Sequence, residues 1–191
     1  MVVATILEAL WASAVASFEP FGALGLICGL AAGLMPRRGL ILAVSAACSA
    51  FFCAHYLRLG SPTGTAMCLI SVAQSLAAAR LRPGAARPGW LLAFFGATSL
   101  LAAWLIVATW TGWPSACAGA GALLATVARL HTNAQALRLL LVACTFCWAG
   151  HNALVGSVFG LTCDALTVVS LTLGLWRYRT APVSAPRPAL A

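Results

Sequence analysis

Seven apolar runs, broken at short intervals by Gly, Pro and Arg, organise this chain. The first extends from about Glu19 to Met35 and stops at Pro36-Arg37-Arg38-Gly39. The second and third, about Gly39 to Tyr56 and Gly64 to Ala79, flank Leu59-Gly60-Ser61-Pro62-Thr63-Gly64, a turn marked by Gly and Pro. A basic connection, Arg80 to Gly89, leads into a fourth run, Trp90 to Trp110, which ends at Thr111-Gly112-Trp113-Pro114. Three more follow: Pro114 to about Ala128, Ala136 to Leu154, and Gly160 to Trp176. Runs of roughly 20 apolar residues match the length of a helix crossing a bilayer, whereas barrel strands would be about half as long and would alternate. Lipid offers no partner to an open backbone group, so the pattern predicts an all-α, polytopic membrane protein with seven transmembrane helices.

Composition excludes the soluble alternative. Of 191 residues, 62% are hydrophobic and 7% are charged, against about 25% charged in soluble domains. The net charge of +8 is no signal for nucleic acid, because every basic residue is Arg and nearly all stand at the ends of apolar runs. Arg37, Arg38, Arg80, Arg82, Arg87, Arg129, Arg138, Arg177, Arg179 and Arg187 fall on one side of the seven-span map, and only Arg58 on the other. The positive-inside rule then places the N-terminus outside and the C-terminus in the cytoplasm. Trp90 and Trp176 at one boundary, with Trp110 and Trp113 at the other, suit an aromatic belt. All eight cysteines lie within apolar runs and read as small buried hydrophobes. Cys144 and Cys147 have the C-x2-C spacing, but mid-span and without a basic neighbour to activate a thiol. Residues 1–18 contain Glu8 and no Lys or Arg, so they do not read as a signal peptide; they form an extension of span one, a surface helix or a further span.

Sliding the chain by 96 residues aligns Gly25 with Gly121, Ala47 with Ala143 and Cys48 with Cys144, and sets Phe52 opposite Trp148. His55, Gly60, Ser61, Gly64 and Val72 then meet His151, Gly156, Ser157, Gly160 and Val168, a shared H-x4-G-S-x2-G. This predicts a duplication. Two three-helix units joined directly would be inverted, and a single linker helix restores a common orientation. The expected architecture is therefore 3+1+3: an extension (1–18), a first bundle (19–80), a basic loop with linker helix (81–112), a parallel second bundle (113–179) and a cytoplasmic tail (180–191).

Cys147-Trp148-Ala149-Gly150-His151-Asn152, followed by Gly156-Ser157-Val158-Phe159-Gly160 and Asp164, resembles the C-terminal signature of the YgjV-type bacterial inner membrane proteins. His55-Tyr56 with Gly60 is similar to the same family, and the resemblance runs from about Phe18 to Arg179. That family resembles the SWEET, SemiSWEET and PQ-loop (MtN3-like) transporters, which implies triple-helix bundles around a substrate path and a location in the bacterial inner membrane. One departure argues against sugar. SWEET-like carriers present an Asn from the third helix of each bundle, where this chain has Ser71, Gln74 and Ser75 in one and Thr167, Ser170 and Thr172 in the other.

Asp164 is a carboxylate well inside a span, 13 residues from Arg177 and so ~20 Å from that boundary by helix rise. His151, 13 residues beyond Arg138, reaches the same depth. An unpaired charge there costs about 2.5–3.5 kcal/mol, so the two are expected to bond directly or through one water. Glu19 and His55 project toward the outer third, Glu19 snorkelling to outer water. Asn152 either binds a ligand or joins helices, and Gly25-x3-Gly29-x3-Gly33 is a helix-packing stripe. His55, His151, Asn152 and Asp164 are the candidate substrate-binding residues. No catalytic or metal-binding motif appears, so neither an enzyme nor a cofactor is expected. Two readings stand: a small permease, proton-coupled through Asp164 and His151, or a structural or assembly protein whose polar residues only staple helices. The expected partners are the lipid bilayer and an unidentified small solute, with no nucleic acid; a homo-oligomer is left open.

Overall fold

The computed structural model describes residues 19–81 and 86–179. The expected extension 1–18, the connection 82–85 and the tail 180–191 lie outside the described residues. Seven helices follow in order: α1 (Pro20–Leu34), α2 (Arg38–Leu59), α3 (Pro62–Ala79), α4 (Gly89–Ala108), α5 (Trp113–Leu130), α6 (Ala134–Val155) and α7 (Val158–Arg177). No strand occurs among the described residues. Four of the helices, α2, α4, α6 and α7, are both long and apolar enough to cross a membrane; α1 is a shorter apolar helix of 15 residues.

Local chemistry explains the boundaries. Pro20 and Pro62 occupy the first helical positions of α1 and α3, and Pro114 the first turn of α5, where a missing N–H costs nothing. α3 accordingly starts two residues before the sequence pattern suggested. Glu19, Asn133 and Ser157 cap the next helices with side-chain oxygens. α2 and α6 both stop at a left-handed glycine, Gly60 (φ 72°) and Gly156 (φ 71°), a backbone state that side chains resist.

Six helices form a ring in which α1 packs on α2 and α7, α3 on α2 and α5, and α6 on α5 and α7; α4 stands outside, against α3 and α5. The turns at Ser61 and Ser157 share one end of the ring, and the carbonyl ends of α1 and α5 share the other with the start of α2. α1, α3, α5 and α7 therefore run one way, and α2, α4 and α6 the other. The radial distribution is inverted relative to a soluble protein. α4 buries only Leu91 and Phe95 and turns Leu100, Trp104 and Val107 outward, while Gln74, Ser75, Ser115, His151, Asn152 and Ser170 are buried inside. That is the arrangement a lipid solvent favours. The four boundary tryptophans, Trp90, Trp110, Trp113 and Trp176, are all exposed at or beside helix ends.

The glycine stripe packs α1 as expected. A Cβ on Gly29 would sit 2.5 Å from Cys163 Sγ, and one on Gly33 would enter Ser170 and the α7 backbone. Gly174 of α7 reciprocates, lying against the Gly33 carbonyl, while Gly25 admits the Phe52 ring from α2. Close backbone approach replaces the missing hydrophobic drive between helices in lipid.

Three arginines that stand near the ends of apolar runs, Arg38, Arg129 and Arg138, are buried, and two of them, Arg38 and Arg138, meet helix ends. Arg38 is buried and donates from Nε to the His131 carbonyl (2.7 Å), from Nη1 to Ala78 (2.8 Å) and from Nη2 to Arg129 (2.6 Å). Arg138 donates from Nη2 to the Met35 carbonyl (2.6 Å), and its guanidinium lies 4.9 Å from the Tyr178 ring centre. Each thus satisfies orphan carbonyls at the C-terminus of another helix, where a positive charge also meets the negative end of the helix dipole.

Gly33→Leu should destabilise the bundle by about 1–3 kcal/mol or more, because the α7 backbone cannot retreat. Gly96→Leu, at a position with nothing within 4 Å of the added atom, should leave the melting temperature unchanged; thermal melts in detergent followed by size exclusion compare the two.

Candidate functional site

The H-x4-G-S-x2-G pattern becomes a piece of geometry at one end of the ring. In each copy the His stands in the last turn of a helix, the first Gly makes the left-handed stop, and the Ser opens the next helix. The histidines then cross to the opposite serines. His55 Nε2 meets Ser157 Oγ at 2.9 Å, and His151 Nε2 meets Ser61 Oγ at 3.3 Å. The last Gly of the motif leaves room: a Cβ on Gly64 would lie 2.8 Å from His151 Nε2, and one on Gly160 would collide with Asn152.

The other ring nitrogens face different partners. His151 Nδ1 lies 2.8 Å from the Pro114 carbonyl, which can only accept, so this nitrogen carries the proton. His55 Nδ1 lies 2.7 Å from Glu19 Oε2. Glu19 does not reach outward to water as expected. It folds back as the cap of α1, accepting the Phe21 N–H at 3.3 Å and the Gly22 N–H, with exposed Arg58 at 3.5 Å. Burial pushes the Glu19 carboxyl upward, but the Gly22 N–H, His55 and the Phe21 N–H together outweigh it and hold the group below the ordinary glutamate value.

The expected bond between Asp164 and His151 does not form. The Asp164 carboxylate Oδ2 accepts from Asn152 Nδ2 at 2.8 Å, and Asn152 Oδ1 accepts the Tyr56 hydroxyl at 2.7 Å. Asn152, not His151, is the α6 residue that meets Asp164, because the two point in different directions. Consecutive helical residues point about 100° apart, so Asn152 faces α2 and α7 while His151 faces α3 and α5. Both histidines are buried, and Asn152 does the joining that the sequence assigned to His151. Tyr56 belongs to the His55-Tyr56 segment of the family resemblance but not to the four candidate binding residues.

Inside the ring, toward its other end, lies a cavity of about 140 Å³. Asp164, Tyr56, Ser71, Thr145, Trp148 and Arg129 are among its lining. Of the four candidates only Asp164 reaches it; His55, His151 and Asn152 belong to the layer at the serine end. Tyr56 and Trp148, which stack at 5.9 Å and 12°, stand between that layer and the cavity. Arg129 was read from the sequence only as a topological charge. A larger cavity, about 330 Å³, separates α4 from α3 and α5, but no titratable side chain lines it. Among the described residues no cation lies within salt-bridge distance of Asp164, and no three His, Cys, Asp or Glu are grouped to hold a metal. The eight cysteines are free thiols. The central cavity is thus a small, mostly apolar chamber with a few polar groups on its wall, among them a carboxyl group held by one neutral amide and able to accept a proton or a cationic group.

The model of a family described as bacterial inner membrane protein (YgjV) matches residues 18–181, and the chain belongs to that family. No curated protein and no solved structure matches the chain.

Two outcomes follow from this network. Tyr56→Phe removes the donor to Asn152 and should cost about 1 kcal/mol of stability, read as a lower melting temperature. Glu19, depressed in the folded state, contributes stability that is complete above the unfolded carboxyl value of about 4.3 and fades as pH falls through the folded value. Glu19→Gln should lower the melting temperature near neutral pH and flatten its decline in acid, as melts across that pH range would show.

Proposed function

We propose that this inner membrane protein is a small multi-pass permease in which two parallel three-helix repeats, residues 19–80 and 113–179, rock about the central cavity, with α4 as the linker between them. The observation that carries the reading is Asp164: a carboxyl on the wall of an internal chamber, hydrogen-bonded to Asn152 and without a cationic partner among the described residues. A residue kept only to staple helices gains most from a full partner, because an isolated charge at this depth is costly. A carboxyl that takes up and releases a proton or a cation needs the vacancy.

The repeat is supported by how the motif residues meet. The two crossed bonds exchange residues that the 96-residue offset makes equivalent, His55 with His151 and Ser61 with Ser157. Tyr56 and Asn152, also equivalent under that offset, bond to each other. At the opposite end Arg38 and Arg138 donate to His131 and Met35, whose carbonyls stand 96 residues apart. In this reading the crossed His–Ser bonds close one end of the path between the repeats and the arginines close the other. Alternating access then means breaking one set while keeping the other. The ten-to-one distribution of Arg supports an N-terminus outside and a C-terminus in the cytoplasm, which makes the serine end the outer one.

A structural role is favoured by one observation: His55, His151 and Asn152 are all spent on bonds between helices. In the permease those bonds form the outer closure, so they do not compete with Asp164 as the site.

Asp164→Asn separates the readings. Reconstituted in proteoliposomes and tested with a panel of small solutes, the variant should insert and elute like the parent while losing uptake; loss of folded protein instead favours the structural role. For topology, a fluorescent reporter fused at the C-terminus should be bright and an alkaline phosphatase fusion there inactive, and the reverse pattern overturns the orientation.

A further inference from the structure

Arg129 stands in the last turn of α5, is only 5% exposed, and lines the central cavity. The chain has three acidic side chains, of which Glu8 lies outside the described residues. Glu19 is engaged by His55 and the α1 N-terminus, and neither it nor Asp164 lies within salt-bridge distance of Arg129. A buried cation with no counter-ion among the described residues is the least expected group in an apolar bundle.

Its neighbours hold it without neutralising it. Nε donates to Ser75 Oγ at 2.9 Å and Nη1 to Gln74 Oε1 at 3.1 Å. Gln74 is itself fixed: its amide nitrogen donates to Thr98 of α4 at 3.0 Å, and its oxygen also accepts from Thr126 at 2.9 Å. The oxygen is therefore turned to the guanidinium by partners on two other helices. Nη2 has no partner among the described residues and is not one of the polar atoms sealed from the surroundings, and Arg129 is among the residues that line the cavity. Arg38 differs, since all three of its donor nitrogens go to helix-end carbonyls, and so does Arg138, which gives Nη2 to the Met35 carbonyl and Nη1 to Gln135 while its unpartnered Nε is sealed from any cavity. Arg129 is the arginine whose positioned fork is left with an edge to offer, and a planar carboxylate is the group that such an edge fits.

We propose that Arg129 is the binding residue for an anionic head group and that the cargo is a small organic carboxylate. The inference rests on the permease reading for what the cavity is for, but the binding itself does not require transport. A chamber of about 140 Å³ is close to one that admits benzene, which suits a solute of about six non-hydrogen atoms. Ser71 and Thr145, which also line it, offer hydroxyls to such a solute.

Binding is read as a saturable rise in melting temperature of the purified protein in detergent, at matched ionic strength, with acetate, propionate, lactate and pyruvate as probes. Glycerol and ethanolamine serve as neutral and cationic controls. At least one carboxylate should stabilise the protein where the controls do not. Arg129→Gln should weaken that binding by about tenfold or more, and Arg129→Lys, which keeps the charge and loses the fork, should fall between. No stabilisation by any of the four carboxylates overturns the proposal, as does equal stabilisation by glycerol. Unchanged affinity in a folded Arg129→Gln also overturns it. If Arg129→Gln does not fold, the wild-type preference for carboxylate over both controls decides alone. Carboxylate binding without uptake in proteoliposomes would sink the permease reading and leave this site standing. Uptake of a neutral or cationic solute with no carboxylate binding would do the reverse.

Discussion

In hydrocarbon no water is at hand to complete a hydrogen bond, so each polar side chain carried into these helices must find its partner on another helix. That requirement organises the interior. Tyr56 of α2, Asn152 of α6 and Asp164 of α7 form one chain of bonds, and Gln74 of α3 gathers Thr98 of α4 with Thr126 and Arg129 of α5 into another. Apolar packing alone would distinguish poorly between arrangements of helices whose outer faces are all compatible with lipid. Directional bonds between particular helices, together with the close approach that Gly29, Gly33 and Gly174 allow, select one ring.

The bonds are unevenly placed along the axis. They concentrate in a layer of crossed His–Ser pairs at one end and a layer of arginine–carbonyl bonds at the other, with a chamber between them. Both layers tie α1, α2 or α3 to α5, α6 or α7, so neither can open without parting the two halves of the ring. The chamber is chemically different from the layers. Its two charged groups, Asp164 and Arg129, are each held by neutral partners, Asn152 in one case and Gln74 with Ser75 in the other. Incomplete neutralisation inside a bilayer is expensive, and it is the feature that packing and folding do not require.

Much of the architecture was legible in the chain. The seven helices fall within about three residues of the apolar runs, because hydrocarbon thickness sets their length and Gly, Pro and capping residues set their ends. The motif H-x4-G-S-x2-G was visible as a recurrence but not as a mechanism: nothing in a spacing says that each histidine crosses to the serine of the other copy. The error at Asp164 has the same origin. Helix rise places His151, Asn152 and Asp164 at one depth, but which of two adjacent residues meets the carboxylate depends on the rotation of α6 against α7, and rotation is settled by all of the neighbours of α6 at once.

The arginines mark the division. Composition and position along the chain determined that this is a helical membrane protein and where its apolar helices lie, because these depend on local transfer energies and summed length. The three-dimensional packing decided that Arg38 and Arg138 meet helix-end carbonyls while Arg129, held by Ser75 and Gln74, lines the chamber. It also turned Glu19 back on to α1 and His55. Those outcomes depend on which carbonyls, amides and hydroxyls distant segments bring within about 3 Å, a distance over which hydrogen bonding acts and about which sequence separation carries no information.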